Sequence, residues 1–179
     1  TYRDLGEMTV ILKQRLRQQL ERARSFSERL LSAFHSPEQW THQVHPRANH
    51  PLWFAGHMGV VDDFMISLVA PDKALNRTDF QERFGMGSEP SANASDYPPV
   101  EEVLAFMRER RQTLLGILDE LDEGDLNRPT PKGAPSFLPD YGSAFQTAAW
   151  HEGLHTGQVT VAHRALGAER RRRERSLCG

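Results

Sequence analysis

The amino-acid sequence predicts an all-α fold: a four-helix bundle with long connections between helices 2–3 and 3–4. Three observations carry this. Four segments repeat apolar residues at every third or fourth position, the period of a helix buried along one side. No segment alternates apolar and polar residues long enough to suggest a half-buried strand. Stretches rich in Pro and Gly divide the periodic segments, as connections between helices require. A length of 179 residues suits one domain with its own core, assigned to residues 1–167, followed by a basic tail at 168–179.

Helix 1 is expected over about residues 5–34, with Leu5, Met8, Leu12, Leu16, Leu20, Ala23, Phe26, Leu30 and Phe34 as its inner stripe. Helix 2, about residues 50–70, opens with Pro51 in its first turn and Asn49 as the expected N-cap. Its stripe reads His50, Trp53, His57, Val60, Phe64 and Leu68. The connection at 72–99 is long enough to suggest a functional cover, with Phe80, Phe84, Met86 and Tyr97 as candidates to wall a pocket or to pack the surface. Helix 3, about residues 100–121, carries Val100, Leu104, Met107, Leu114, Leu118 and Leu121, and places Arg111 on a core position. A second connection at 122–140 holds four prolines and two glycines. Helix 4, about residues 141–166, presents Tyr141, Phe145, Ala148, Glu152, His155, Val159, Ala162 and Leu166, and Gly167 is its expected C-cap.

Composition narrows the function classes. Lys and Arg total 22 against 24 Asp and Glu, for a net charge of −2, and 38% of residues are apolar. With a mean hydropathy of −0.60 this excludes a disordered chain and a nucleic-acid-coating polycation. The longest unbroken apolar run, Val103 to Met107, is five residues, so no bilayer-spanning segment is expected. No charged start followed by an apolar stretch marks a secretion signal. The single cysteine, Cys178, forbids an internal disulfide and fits a reducing, cytoplasmic setting.

Eight histidines are the conspicuous surplus. His151 and His155 stand one turn apart on helix 4, about 40° around its axis, so both imidazoles can converge on one cation. His57 lies between Trp53 and Val60 on the inner face of helix 2; a third ligand and a hydrogen-bonded core histidine are both open readings. His35, His42 and His45 fall in a polar loop, His50 at a helix mouth as a cap or entrance residue, and His163 off the line of His155. Glu152 either supports a ligand and takes a proton from bound water, or pairs with an arginine such as Arg111. Gly56 and Gly59 on helix 2, with Gly153 and Gly157 on helix 4, are expected to let helices approach closely or to leave space beside a metal, since a mid-helix glycine costs up to about 1 kcal/mol.

His151-Glu152-Gly153-Leu154-His155 also matches H-E-x-x-H, the zinc-protease motif. No strand is available to hold a peptide, and Gln158 and Val161 stand where the extended motif wants glycine and histidine. A zinc protease is therefore a remote alternative.

Two strings carry a resemblance. Asn49-His50-Pro51-Leu52-Trp53-Phe54-Ala55-Gly56-His57-Met58 resembles the second-helix motif of the DinB-like superfamily, metal-binding four-helix bundles of bacteria. His151-Glu152-Gly153-Leu154-His155-Thr156-Gly157-Gln158 resembles that family's fourth-helix signature. The resemblance spans about residues 49–167, with the first helix matching only in kind. It implies ligand roles for His57, His151 and His155, and zinc or nickel as the metal. It also implies a frequent homodimer and, in some relatives, a thiol S-transferase activity that uses a low-molecular-weight thiol as co-substrate on a small-molecule substrate. A related bundle forms part of sulfoxide synthases, whose large additional domain this sequence lacks, so that activity is not expected. The expectation is a metal-dependent enzyme of thiol-transferase or hydrolase type, with a non-catalytic metal-binding or dimerisation module as the alternative.

Overall fold

The structure, a computed structural model, describes the backbone of residues 2–177 and the side chains of residues 12–167. Six α-helices are present among the described residues: α1 (Tyr2–Leu31), α2 (Pro37–Trp40), α3 (Pro51–Val69), α4 (Thr78–Phe84), α5 (Val100–Glu120) and α6 (Tyr141–Leu177). The four long ones, α1, α3, α5 and α6, are the expected bundle helices; α2 and α4 are short additions within the connections. Around the bundle, α3 packs on both α5 and α6, and α1 packs on α6 and α5. Consecutive long helices α1 and α3 thus sit across a diagonal, as do α5 and α6, and long connections are what allow this order. Among the described residues no strand ladder forms; the connection at 122–140 is pinned at its neck by an isolated bridge between Pro129 and Asp140.

Two boundaries and one helix face differ from expectation for local reasons. His50, not Asn49, caps α3: its imidazole accepts the Trp53 N–H at 3.1 Å, while the Asn49 amide reaches Gln158 instead. Gly167 caps nothing, because α6 continues through it to Leu177. On α1 the inward face is Leu16, Leu20, Arg24, Ser27 and Leu31, and Phe26 is 52% exposed. The side chains of Leu5 and Met8, the arginine run at 170–173 and Cys178 lie outside the described residues.

Helix α3 is buried on nearly every side. By length and composition it is apolar enough to cross a membrane, which the count of unbroken apolar residues did not anticipate; 83% of that window is buried inside the bundle. Its glycines explain how it fits so tightly. A Cβ on Gly56 would meet the Phe84 ring at 2.4 Å, and one on Gly59 would meet the Phe106 ring at 2.4 Å. Gly153 and Gly157 of α6 face open space, so close helix approach does not account for them.

The interior is two apolar cores separated by a layer of charge. One core gathers Leu31, Phe54, Met58, Phe84 and Met107; the other gathers Leu20, Ile66, Leu114, Leu118 and Phe145. Between them, each long helix contributes one ionised side chain: Arg24 from α1, Asp62 from α3, Arg111 from α5 and Glu152 from α6, none more than 6% exposed. Arg111 grips Asp62 through two bonds of 2.9 Å, and Arg24 donates to Asp62 and to Glu152, each at 2.9 Å. Arg111 Nη2 closes the ring at 2.8 Å from Glu152 Oε2, but off the line of a hydrogen bond, so this side is a charge contact. Spare guanidinium N–H groups reach the Met107 and Leu20 carbonyls. The ring is electrically neutral, which is the condition for burying four charges.

Candidate metal centre

The layer fixes which way α6 faces. With Glu152 turned to the arginines, His151 and His155 project from the adjoining edge of the helix towards α3. There His57, His151 and His155 each offer a ring nitrogen, all within 4.8 Å of one another. His57 is buried; the other two are half-buried, so the cluster opens to solvent on the α6 side, beside the exposed Trp150 and Leu154.

Each imidazole is held by a neighbour. His57 Nδ1 lies 2.6 Å from the Phe84 carbonyl, which can only accept, so Nδ1 carries the hydrogen and Nε2 keeps a lone pair. That lone pair faces His151 Nε2 at 3.0 Å. His155 Nδ1 lies 3.0 Å from Gln158 Oε1, which also takes the Asn49 amide at 2.9 Å. Trp53 stacks on the His57 ring, centroids 4.4 Å apart, and ties its indole N–H to Ser88 Oγ at 2.9 Å. The connection expected to cover a site does so from behind: Phe84, Ser88 and Tyr97 are its contacts with His57, Trp53 and His50. Phe80 and Phe84 are fully buried there, whereas Met86 is 91% exposed and walls nothing.

Electrostatics favour neutral imidazoles. Burial pulls the pKa of His57 down to about 4, opposed by its bond to Phe84 and helped by the two neighbouring histidines. Burial likewise brings His151 to about 4 and lowers His155. All three therefore present lone pairs at neutral pH, the form that binds metal. Glu152 is also placed. Burial alone would raise its pKa, but Arg24 and Arg111 outweigh that and hold it low, so it remains a carboxylate. Its contact with Arg111 is the pairing that the sequence left as one of two readings, and Arg24 is a partner that it did not suggest.

The structure thus brings together His57, His151 and His155 and leaves the other histidines apart. His50 is a buried cap, His42 is half-buried, His35 and His45 are exposed, and the exposed His163 touches the edge of Phe34. The Phe84 carbonyl was invisible to sequence reasoning, since a main-chain acceptor leaves no mark in residue type. Gln158 had a faint signal, three residues beyond His155 and so on the same helix face.

Comparison with known proteins gives the family. The sequence model of the DinB superfamily matches residues 19–159, most of the chain and a span that includes the three histidines. The chain belongs to the DinB superfamily. The match reaches back into α1 of this DinB-superfamily chain, further than the two motifs alone. No curated protein matches it. Among solved structures, it is similar to the crystal structure of a conserved protein from Enterococcus faecalis. There the TM-score is 0.64 at 18% identity, over 84% of this chain and 94% of that one, a likeness of fold alone.

Proposed function

We propose that His57, His151 and His155 hold one divalent metal ion, zinc or nickel, and that the protein is a metal-dependent enzyme of thiol-transferase or hydrolase type. The observation that carries this is three neutral imidazole nitrogens within 4.8 Å, two of the rings bonded through Nδ1 to acceptors outside the cluster. Second bonds of this kind fix the tautomer and aim the free nitrogen. The 3.0 Å approach of His57 Nε2 to His151 Nε2 supports the fit, because the His57 lone pair is aimed at a second ring nitrogen and a cation can take the place of the proton between them.

A bound ion would act as a Lewis acid, lowering the pKa of a coordinated water or thiol into the neutral range. The chain's own residues supply the rest. Phe84 and Gln158 orient two ligands, Trp53 shields the His57 ring from water, and the half-buried edge of His151 and His155 leaves a path for a small substrate. Glu152 holds α6 in register through the arginines, and in this reading it takes no proton. Three protein ligands with a solvent-facing side favour catalysis over a closed structural site. The zinc-protease alternative stays disfavoured, since its motif glutamate must reach bound water and here faces two guanidinium groups.

Elemental analysis of the purified protein tests the site: one zinc or nickel per chain is expected, and less than a tenth of that in His155→Ala. Unchanged stoichiometry in the variant would sink the assignment. Turnover of an electrophile with a panel of small thiols tests the reaction, and absence of turnover with every thiol moves the reading to hydrolase or to a non-catalytic module.

A further inference from the structure

A cleft of about 350 Å³ adjoins the histidine cluster, lined by Val44, Arg47, Ala48, Asn49, Gln158 and Val161. Two of these residues are Gln158, whose Oε1 accepts from His155 Nδ1, and Asn49, which donates to the same Oε1, so the cleft and the cluster share a wall. Its volume lies at the low end for small-molecule sites.

The chemistry of the lining selects for an anion. Gln158 Oε1 is engaged by His155 and Asn49, which leaves both N–H groups of its amide without a protein partner among the described residues. Arg47 adds a guanidinium whose carboxylate partner is Glu89; both side chains are largely exposed, and such a pair exchanges readily for another anion. None of the six lining residues is acidic. Val44 and Val161 are 43% and 55% exposed and form an apolar flank.

Arg47 is also held in an unexpected conformation. Ala48 N–H bonds back to the His45 carbonyl at 2.9 Å, with Pro46 and Arg47 between them, and Arg47 has φ 71°. This is a turn whose third position favours glycine, because a side chain there is strained. An arginine at a glycine position, beside free amide donors, points to a role for its side chain.

We propose that this cleft binds a small organic anion, a carboxylate with a short aliphatic body. Its head sits between Arg47 and the Gln158 amide, and its tail lies along Val44 and Val161. Occupancy reaches His155 through Gln158 and Asn49. This last part alone rests on the metal-centre reading above; the binding part stands without it.

Hexanoate is the probe and hexanamide its uncharged isostere. In amide-resolved NMR of the full chain, hexanoate is expected to shift the side-chain signals of Asn49 and Gln158 saturably, with hexanamide at least tenfold weaker. Arg47→Gln is expected to weaken hexanoate tenfold or more. Arg47→Gly, which relaxes the turn and so guards against misfolding, is expected to do the same. No saturable shift, equal binding of the amide, or unchanged affinity in both variants would overturn the proposal. Running the titration with and without zinc separates it from the metal reading, since the cleft is decided in the metal-free protein even if no metal binds. With cobalt in the site, hexanoate is expected to perturb the visible bands, and less so in Arg47→Gln. Bands that shift equally in the variant would mean direct ligation at the metal, which also overturns the proposal.

Discussion

Asp62→Asn isolates the charged layer. Asp62 is 1% exposed and accepts three guanidinium bonds, from Arg24 Nη2 and from Arg111 Nε and Nη2, each at 2.9 Å. Asparagine has the same shape but turns an N–H group towards a guanidinium, and the ring goes from neutral to a net positive charge. Leaving a buried charge without its partner costs about 3–5 kcal/mol. A domain has a total stability of about 5–15 kcal/mol, so this one atom change removes a large share of it. The control is Asp119→Asn at the exposed Arg17–Asp119 pair, where the side chains are 39% and 54% exposed and the expected loss is under about 1 kcal/mol. Urea denaturation of the metal-free protein reads both, with an unchanged m-value showing that stability alone moved. If the two variants fell within about 1 kcal/mol of each other, the layer would not be the dry, closed ring described, and its role in fixing α6 would fail.

Other outcomes follow from single contacts. Gly56→Ala drives a Cβ into the fully buried Phe84 ring and is expected to cost about 1–3 kcal/mol; it should also weaken metal binding, because the Phe84 carbonyl holds His57. Gly153→Ala meets nothing within 4 Å and is expected to raise stability by up to about 1 kcal/mol, so thermal midpoints should move in opposite directions for the two glycines. Burial lowers the pKa of His50 from 6.5 to about 4, so between those values the unfolded chain is protonated and the native chain is not. Stability is then lost as pH falls through that window, by about 3 kcal/mol for this one group at its lower end. Urea midpoints of metal-free protein at pH 7, 5.5 and 4.5 check this, and a flat profile refutes it; His57, His151 and His155 shift the same way and steepen the fall.

The long helices were legible because their signal is local: apolar residues at helical spacing, bounded by Pro51, Pro99 and the proline-rich connections. What failed were positions decided by other elements. Arg24 sits on the core face of α1, where Asp62 and Glu152 from α3 and α6 neutralise it, whereas residue type alone pointed to Phe26. Asn49 was the expected cap by type, yet Gln158, over a hundred positions along the chain, draws its side chain away and His50 caps instead. The candidate ligands were legible as a pair, since His151 and His155 share a helix face, whereas the hydrogen bond that orients His57 comes from a carbonyl in a connection with no residue-type signature.

Successive residues of an α-helix diverge by about 100°, so His151 and Glu152 address different neighbours, while His155 returns to within about 40° of His151. Near the histidines the inner stripe of α6 is Ala148, Val159 and Ala162, short side chains that constrain the helix's rotation less firmly than the fully buried Phe145 of its first turns. Shape alone therefore specifies the direction of the two histidines loosely. Glu152, caught between guanidinium groups from α1 and α5, removes that freedom, since turning α6 would pull a carboxylate away from two buried cations. His57 is governed in the same manner from the opposite side, by a bond to the Phe84 carbonyl rather than by the shape of its surroundings. Directional polar contacts thus set the aim of His57 and of the α6 pair, and the apolar cores on either side keep water from loosening them.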